Sequence, residues 1–297
     1  MGVSARDRES QLRQMQPLIL LGMHRSGTSL AVRLLADLGI HMGSWLSRDA
    51  EAVHFQKLNR RIYADTDSKW GQVDSLVQAM HSEEFIERQT VAVQRALFHD
   101  KPFFKRDPVI VDFFGPELWT KVCQNEPFTW GWKDPRTTLT FPIWLRLFPR
   151  TRWVHILRNG IDVAISVHRR SKKQQRKLRN HLFPVDYSPP TLDFGYSFRL
   201  WETYVSFVLE HKHLIPSEHY LEMRYEDLLS EPLEQLRRLL DFADHPIEDN
   251  RLLAISKRID KSRLDNSAYA ASYRGKIPTL ASRPLMRQLD YSYSIVN

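Results

Sequence analysis

The stretch LILLGMHRSGTSLAVRLLADLG, residues 18–39, holds residue types and a spacing suited to gripping an anion. Gly22 and Gly27 stand five positions apart behind four apolar residues, and Thr28 and Ser29 follow. Glycine permits a tight turn and a close backbone approach to a ligand. A glycine loop that opens a helix offers converging N–H groups and the positive end of the helix dipole, both of which favour a phosphate-like group. Loops that bind nucleoside triphosphates carry Lys and then Ser or Thr straight after the second glycine. Here position 28 is Thr, and the strong cation is Arg25, inside the loop. In the triphosphate loops that lysine reaches the terminal phosphates, the next hydroxyl binds Mg²⁺ and a downstream Asp completes the metal site. This chain has Arg158, not Asp, after its second apolar strand. The loop therefore reads as built for an anion handled without a metal. Arg25 supplies a planar cation for two parallel hydrogen bonds, and Ser26, Thr28 and Ser29 supply hydroxyls. A glycine and serine turn that merely precedes a core helix is the plainer alternative.

These residues need elements to hold them. Residues 18–21 read as a short buried strand. Thr28 to Leu38 reads as a helix with Leu30, Leu34, Leu35 and Leu38 on one face, stopped by Gly39. Residues from about 41 to 105 read as mainly helical. PFTWGWKDPR (127–136) alternates aromatic, turn and charged residues, and Pro135 ends any regular element. FPIWLRLFP (141–149) reads as a short helix bounded by prolines. RWVHIL (152–157) is a second continuous apolar strand, broken by Asn159-Gly160, and IDVAISVHRR continues as a helix. The run HRRSKKQQRKLRNH (168–181) has no acid and reads as a mobile exposed loop reaching about residue 190. FRLWETYVSFVLEHKHL (198–214) is an amphipathic helix, YLEMRYEDLL (220–229) a strand leading into a turn, and PLEQLRRLLDFA (232–243) a helix. Strand, loop and helix units repeated in this order specify an α/β fold with a mainly parallel sheet. The organisation expected is a polar N-terminal segment (1–17) and one α/β domain (18–297). That domain carries a mainly helical insertion over about 41–125 and a basic loop over about 168–190.

Composition sets the outer bounds. At 297 residues, 42% hydrophobic and 26% charged, the chain has an ordinary globular make-up, and eight Trp and fifteen Phe supply a large core. Cys123 is the single cysteine, so no internal disulfide is possible. Residues 1–16 are polar and include acids, unlike a signal peptide. No apolar run approaches the roughly 20 residues that cross a bilayer. The expected location is the cytoplasm. A net charge of +8 suits an anionic ligand and does not by itself argue for nucleic acid.

GMHRSGTSL resembles the 5′-phosphosulfate loop of the sulfotransferases that use 3′-phosphoadenosine 5′-phosphosulfate (PAPS). Arg25, Ser26, Gly27, Thr28 and Ser29 match in order, and His24 beside them would shape the loop. A second match, HILRNGIDVAISVHRR, resembles the family's strand, arginine, turn and serine, so that Arg158 and Ser166 would hold the 3′-phosphate. The resemblance therefore implies two anion pockets a nucleotide's span apart. WGWKDPRTTLTFPIWLRLFP is similar to the Lys-Asp-Pro segment of bacterial sulfotransferase-like proteins and tyrosylprotein sulfotransferases. By that likeness Lys133 would face the sulfuryl or bridging oxygens; an ion pair with Asp134 is the structural alternative. MRYEDLL resembles a family segment taken as scaffold.

In related bacterial proteins a glutamate shortly before a Phe and a Leu-Asn pair acts as base. Counting back from Phe55, Leu58 and Asn59 gives Glu51, with His54 as rival because imidazole suits a base near neutral pH. The segment departs from the family pattern, with Ala50 where an aromatic residue is usual. The family implies a P-loop-containing three-layer fold with a central, mainly parallel sheet. It implies transfer of a sulfuryl group from PAPS, leaving 3′,5′-ADP, without a metal. The acceptor would be a hydroxyl of a glycan, lipid, small molecule or peptide tyrosine, anionic ones included, and not nucleic acid. A P-loop kinase and a non-catalytic binder of polyanions or nucleotides are the competing readings.

Overall fold

Four consecutive apolar residues make β1 (Leu18–Leu21), buried along its whole length. The computed structural model describes residues 9, 10, 12, 14–99, 108–179, 188–264 and 270–292. Gly22 to Gly27 turn the chain into α1 (Thr28–Asp37), and Gly39, at φ 99°, ends that unit. Four helices follow before the chain returns to the sheet: α2 (Val53–Ala64), α3 (Asp74–Ala79), α4 (Glu83–Phe98) and α5 (Val109–Gln124). They fill the expected helical insertion.

The remaining sheet strands are β2 (Gly131–Lys133), β3 (Arg152–Leu157) and β4 (Tyr220–Arg224). The sheet order is β2-β1-β3-β4 and every neighbouring pair is parallel, with Leu20 opposite both Lys133 and Val154. Between strands run α6 (Thr137–Leu147), α7 (Gly160–Arg179) and α8 (Phe194–His211). α9 (Tyr225–Ser230), α10 (Pro232–Phe242) and α11 (Asp249–Ser256) follow β4.

The sheet is buried on both faces, as an all-parallel sheet must be. Alternate residues of β1 divide between two cores. Ile19 and Leu21 join Trp153 and Leu157 under α6, α7 and α8. Leu18 and Leu20 join Val154, Ile156, Leu221 and Met223 under α1, α10 and α11. This is the expected three-layer arrangement.

Three sequence expectations change. The basic run is not a loop: α7 continues to Arg179, with Ser171 and Gln174 buried along it, and a 3₁₀ turn at Pro189–Leu192 follows. Apolar side chains at Val163, Ala164 and Val167 seat the helix against the core, and its charged face stays in water. Residues 180–187, read as part of the same loop, lie outside the described residues. The segment 127–136, read as irregular, contains β2, whose three residues gain ladder partners only through β1. The polar N-terminal segment also contributes to the core, since Leu12 is fully buried.

Candidate active site

The C-terminal ends of the four parallel strands deliver, in turn, the glycine loop, Lys133, Arg158 and Tyr225. Chain order places the reversal of strand order beside β1, where open parallel sheets form their ligand crevice. Gly22 and Gly27 are required by space as well as by dihedral angle. A Cβ on Gly22 would lie 2.8 Å from Thr28 Cγ2, and one on Gly27, at φ 93°, would lie 2.1 Å from the Tyr225 ring. Arg25 sits at φ 75°, a conformation that costs a non-glycine residue about 1–2 kcal/mol. Gly27 caps α1 without a side-chain bond. Among the described residues, the N–H groups of Arg25, Gly27, Thr28 and Ser29 have no acceptor. Gly22 N–H donates to Thr138 Oγ1 (2.9 Å), which fixes the root of the loop against α6.

Arg158 and Ser166 lie against this loop. Arg158 Nη1 donates to the Arg25 carbonyl at 3.1 Å, and Arg25 Nε donates to Ser166 Oγ at 2.9 Å. The two arginines therefore share one face. Arg25 and Ser166 are bonded directly, not held a nucleotide's span apart, because the long Arg25 side chain crosses from the loop to α7. The Arg158 guanidinium rests 4.6 Å from the centre of the Tyr225 ring, the ring that also covers Gly27. Glu226 Oε1 accepts from Asn159 N–H (2.9 Å), and Asn159 Nδ2 donates to the Ser292 carbonyl (3.1 Å). Tyr225 and Glu226 thus brace the turn after Arg158, which extends the scaffold reading of the MRYEDLL segment.

Lys133 is buried at the end of β2, with 1% of its surface exposed. Its ammonium donates to the Asp49 carbonyl (2.7 Å) and Ser29 Oγ (3.2 Å), and Ser29 Oγ itself donates to the same carbonyl. Burial pulls the ammonium down to about 8, against the opposing pull of Glu51, Asp134 and Asp49. Glu51 is 7% exposed, and burial with the nearby Asp134 carboxylate raises its carboxyl above the usual range, against Lys133 and Arg136. Gln56 Nε2 donates to Glu51 Oε2, and Arg136 Nη1 stands 3.9 Å from that same oxygen.

Lys133 does not pair simply with Asp134. Asp134 accepts from Arg136 Nη1 (3.1 Å) and Asn59 Nδ2 (2.9 Å). Asn59 Oδ1 in turn accepts from Thr140 Oγ1 (2.8 Å) and Trp144 Nε1 (2.9 Å). The loop carrying Glu51 is closed by the pairing of Leu46 with Ala52 and turns at Ala50, φ 54°.

His24 is buried against Trp70, ring centres 4.7 Å apart, and burial with Arg136 and Arg170 nearby holds it well below the usual imidazole range. Its Nδ1 has no partner among the described residues. His54, the rival base, meets Trp45 and Phe113 edge-on at the start of α2, whereas Glu51 lies among the charges around Lys133. Sequence reading missed Arg136, Tyr225 and Arg170. Arg170, where the helix read over IDVAISVHRR overlaps the basic run, reaches Asp49 (Nη2 to Oδ2, 3.4 Å) and lies 5.9 Å from the Trp70 ring centre. The helical reading already put Arg170 one turn after Ser166, and that was the signal left unused.

An all-parallel sheet with a glycine loop between its first strand and first helix places the chain among α/β proteins of the P-loop-containing fold. Residues 17–249 match the model of the sulfotransferase family, and the chain belongs to that family of transferases. An uncharacterized protein of Aquifex aeolicus (strain VF5) is 33% identical over 113 residues, which are 36% of this chain and 13% of that protein. The omega-hydroxy-beta-dihydromenaquinone-9 sulfotransferase Stf3 of Mycobacterium tuberculosis (strain CDC 1551 / Oshkosh) is 30% identical over 112 residues, 36% of this chain and 26% of Stf3. The matched part of the chain thus spans about a quarter or less of the length of these relatives. The crystal structure of the sulfotransferase STF9 from Mycobacterium avium superposes with a TM-score of 0.47 at 17% identity, covering 92% of this chain and 79% of STF9.

Proposed function

We propose that the protein transfers a sulfuryl group from PAPS to an acceptor hydroxyl. One observation carries the reading: the glycine loop, Arg158 and Ser166 each bonded to its Arg25, and Lys133 near Glu51 converge at the C-terminal ends of neighbouring strands. The fit to the donor rests on donor groups. Four loop N–H groups lack acceptors, and Arg158 Nε is buried without one among the described residues. PAPS, when bound, supplies a sulfuryl group already activated on a phosphate leaving group.

The chain's own residues then have separable tasks. Donor binding exchanges the bond between Arg25 and Ser166 for ligand oxygens: the loop N–H groups and Arg25 then hold the phosphosulfate end, while Arg158 and Ser166 recognise the 3′-phosphate. Lys133, charged below about pH 8, stabilises negative charge that grows on the oxygens around the breaking bond. Glu51 takes the acceptor proton as the new O–S bond forms, leaving 3′,5′-ADP. Its raised pKa suits a base that works close to neutral pH. Gln56 and Arg136 address Oε2 of Glu51, which leaves Oε1 for the acceptor. His24, held neutral, shapes the loop.

The test is thermal stabilisation by 3′,5′-ADP, by ATP with Mg²⁺ and by heparin, since a ligand stabilises according to its concentration over Kd. Stabilisation by 3′,5′-ADP is expected. Stabilisation by ATP with Mg²⁺ and not by 3′,5′-ADP overturns the reading in favour of a kinase. Stabilisation by heparin alone points to a polyanion binder.

A further inference from the structure

The anion cradle is prepared unevenly. On the side of the glycine loop its N–H groups lack acceptors among the described residues. On the side of Lys133 the chain already fills it. One backbone carbonyl, that of Asp49, accepts from Lys133 Nζ (2.7 Å) and from Ser29 Oγ, and Lys133 Nζ donates also to Ser29 Oγ (3.2 Å). A carbonyl oxygen has two lone pairs and partial negative charge, so it can engage an ammonium and a hydroxyl together, as an oxygen of an anionic ligand would. Two arginines hold the same stretch. Arg170 Nη2 stands 3.4 Å from Asp49 Oδ2, and Arg33 Nη2 donates to the Arg48 carbonyl (3.0 Å).

Asp49 lies in a turn that is bonded to itself. Ala50 N–H donates to the Ser47 carbonyl (2.9 Å), Ser47 N–H to the Glu51 carbonyl (2.9 Å), and Glu51 N–H to Ser47 Oγ (3.1 Å). These bonds tie Ser47, Ala50 and Glu51 into one piece around Asp49. The root of the turn is anchored separately, by Ala52 N–H on the Lys133 carbonyl (3.0 Å) and Val53 N–H on the Trp45 carbonyl (3.1 Å). A displacement of Asp49 from Lys133 therefore carries the Glu51 backbone with it and strains the root.

We infer that Asp49 is a positioning residue whose carbonyl stands in for a sulfuryl oxygen in the free chain and yields that place on donor binding, so that the turn sets Glu51 only in the loaded protein. This rests on the PAPS reading and adds a coupling between donor and base. Lys133 and Ser29 lose no hydrogen bonds in the exchange, because each trades a carbonyl oxygen for a ligand oxygen. The released carbonyl turns to water. A nucleotide without the sulfuryl group, 3′,5′-ADP, leaves the contact intact.

Amide exchange over residues 47–53 is followed by mass spectrometry on the full chain, alone, with saturating 3′,5′-ADP and with saturating PAPS, no acceptor being present. Titration calorimetry supplies both affinities. PAPS should raise exchange in this segment, because the turn loses its hold on Lys133 and Ser29, whereas 3′,5′-ADP should leave it unchanged. Exchange that PAPS leaves unchanged or slows, or that 3′,5′-ADP raises equally, overturns the inference. Asp49→Asn and Arg170→Gln each delete the ion pair that restrains the turn. In both variants the ratio of PAPS affinity to 3′,5′-ADP affinity should rise, by up to about fivefold, the worth of one exposed ion pair. Plain charge effects would move the two variants in opposite directions, since one loses an anion and the other a cation. Any result but a rise in both overturns the inference. Failure of either nucleotide to bind removes the donor reading itself, and the inference with it.

Discussion

The two halves of the site are prepared in opposite ways. Around Arg25 and Arg158 the chain presents donors: N–H groups without acceptors, an arginine at positive φ and a guanidinium stacked on Tyr225. Around Glu51 and Lys133 it presents buried, mutually bonded charges, with Asp134 and Asn59 fully buried and Arg136 3% exposed. On the proposed reading, the first half recognises a ligand whose charge is fixed. The second controls protonation, since burial moves both Glu51 and Lys133 toward neutral pH from opposite sides. Substitutions in the first half should act mainly on affinity, and those in the second on turnover and its pH dependence.

The sharpest break in that comparison comes from Glu51→Gln. A general base typically contributes ~10²–10⁴-fold, so kcat should fall by that factor with 3′,5′-ADP affinity unchanged. Loss of donor affinity instead would move Glu51 to the recognition half. Lys133→Ala should cost about 10²–10³ in kcat, comparable to removing one preorganised donor to developing charge. A smaller effect that appears only in KM would demote Lys133 to scaffold.

Arg158→Ala removes a charged hydrogen-bonding group, worth about 1.5–3 kcal/mol or roughly 10- to 150-fold in affinity. It should weaken 3′,5′-ADP binding far more than that of adenosine 5′-phosphosulfate, which lacks the 3′-phosphate. Equal losses would show that the bond from Arg158 to the Arg25 carbonyl, not ligand contact, is its role.

The pH profile of kcat/KM, which reports groups of the free enzyme, separates the halves most gently. With Glu51 as base, kcat/KM should fall on acidification through a pKa above the usual glutamate range. With Lys133 acting as a cation, it should fall again as pH rises through about 8. Donor affinity should stay flatter across the upper limb. A kcat/KM that keeps rising past pH 9 would exclude the Lys133 ammonium as a participant.

Much of this was legible in the residues. The glycine loop, RWVHIL and the periodicity of α1 and α10 are local signals: apolar runs bury, glycines turn, and heptad-like stripes face a core. β2 was not legible, because a strand of three residues is stabilised by pairing with β1 and has almost no period of its own. The basic run was misread because past Arg170 its buried positions are Ser171 and Gln174, polar residues that give no apolar stripe. Arg136 and Tyr225 lay in recognised motifs, yet their tasks depend on partners 85 and 198 positions away in the chain, Glu51 and Gly27.

By itself, then, the sequence determined the residue types of the glycine loop and the α/β class, which follow from residue type and short-range spacing, whereas Arg158, Ser166 and Lys133 were singled out by the resemblance to the sulfotransferase motifs. Only the tertiary structure decided that Glu51 and Lys133 are buried close enough to shift each other's protonation. It alone continued α7 through the basic run to Arg179. Burial and charge coupling depend on what packs around a group, and here those neighbours come from the loop before α2 and from β2 with the turn that follows it, which are far apart in the chain.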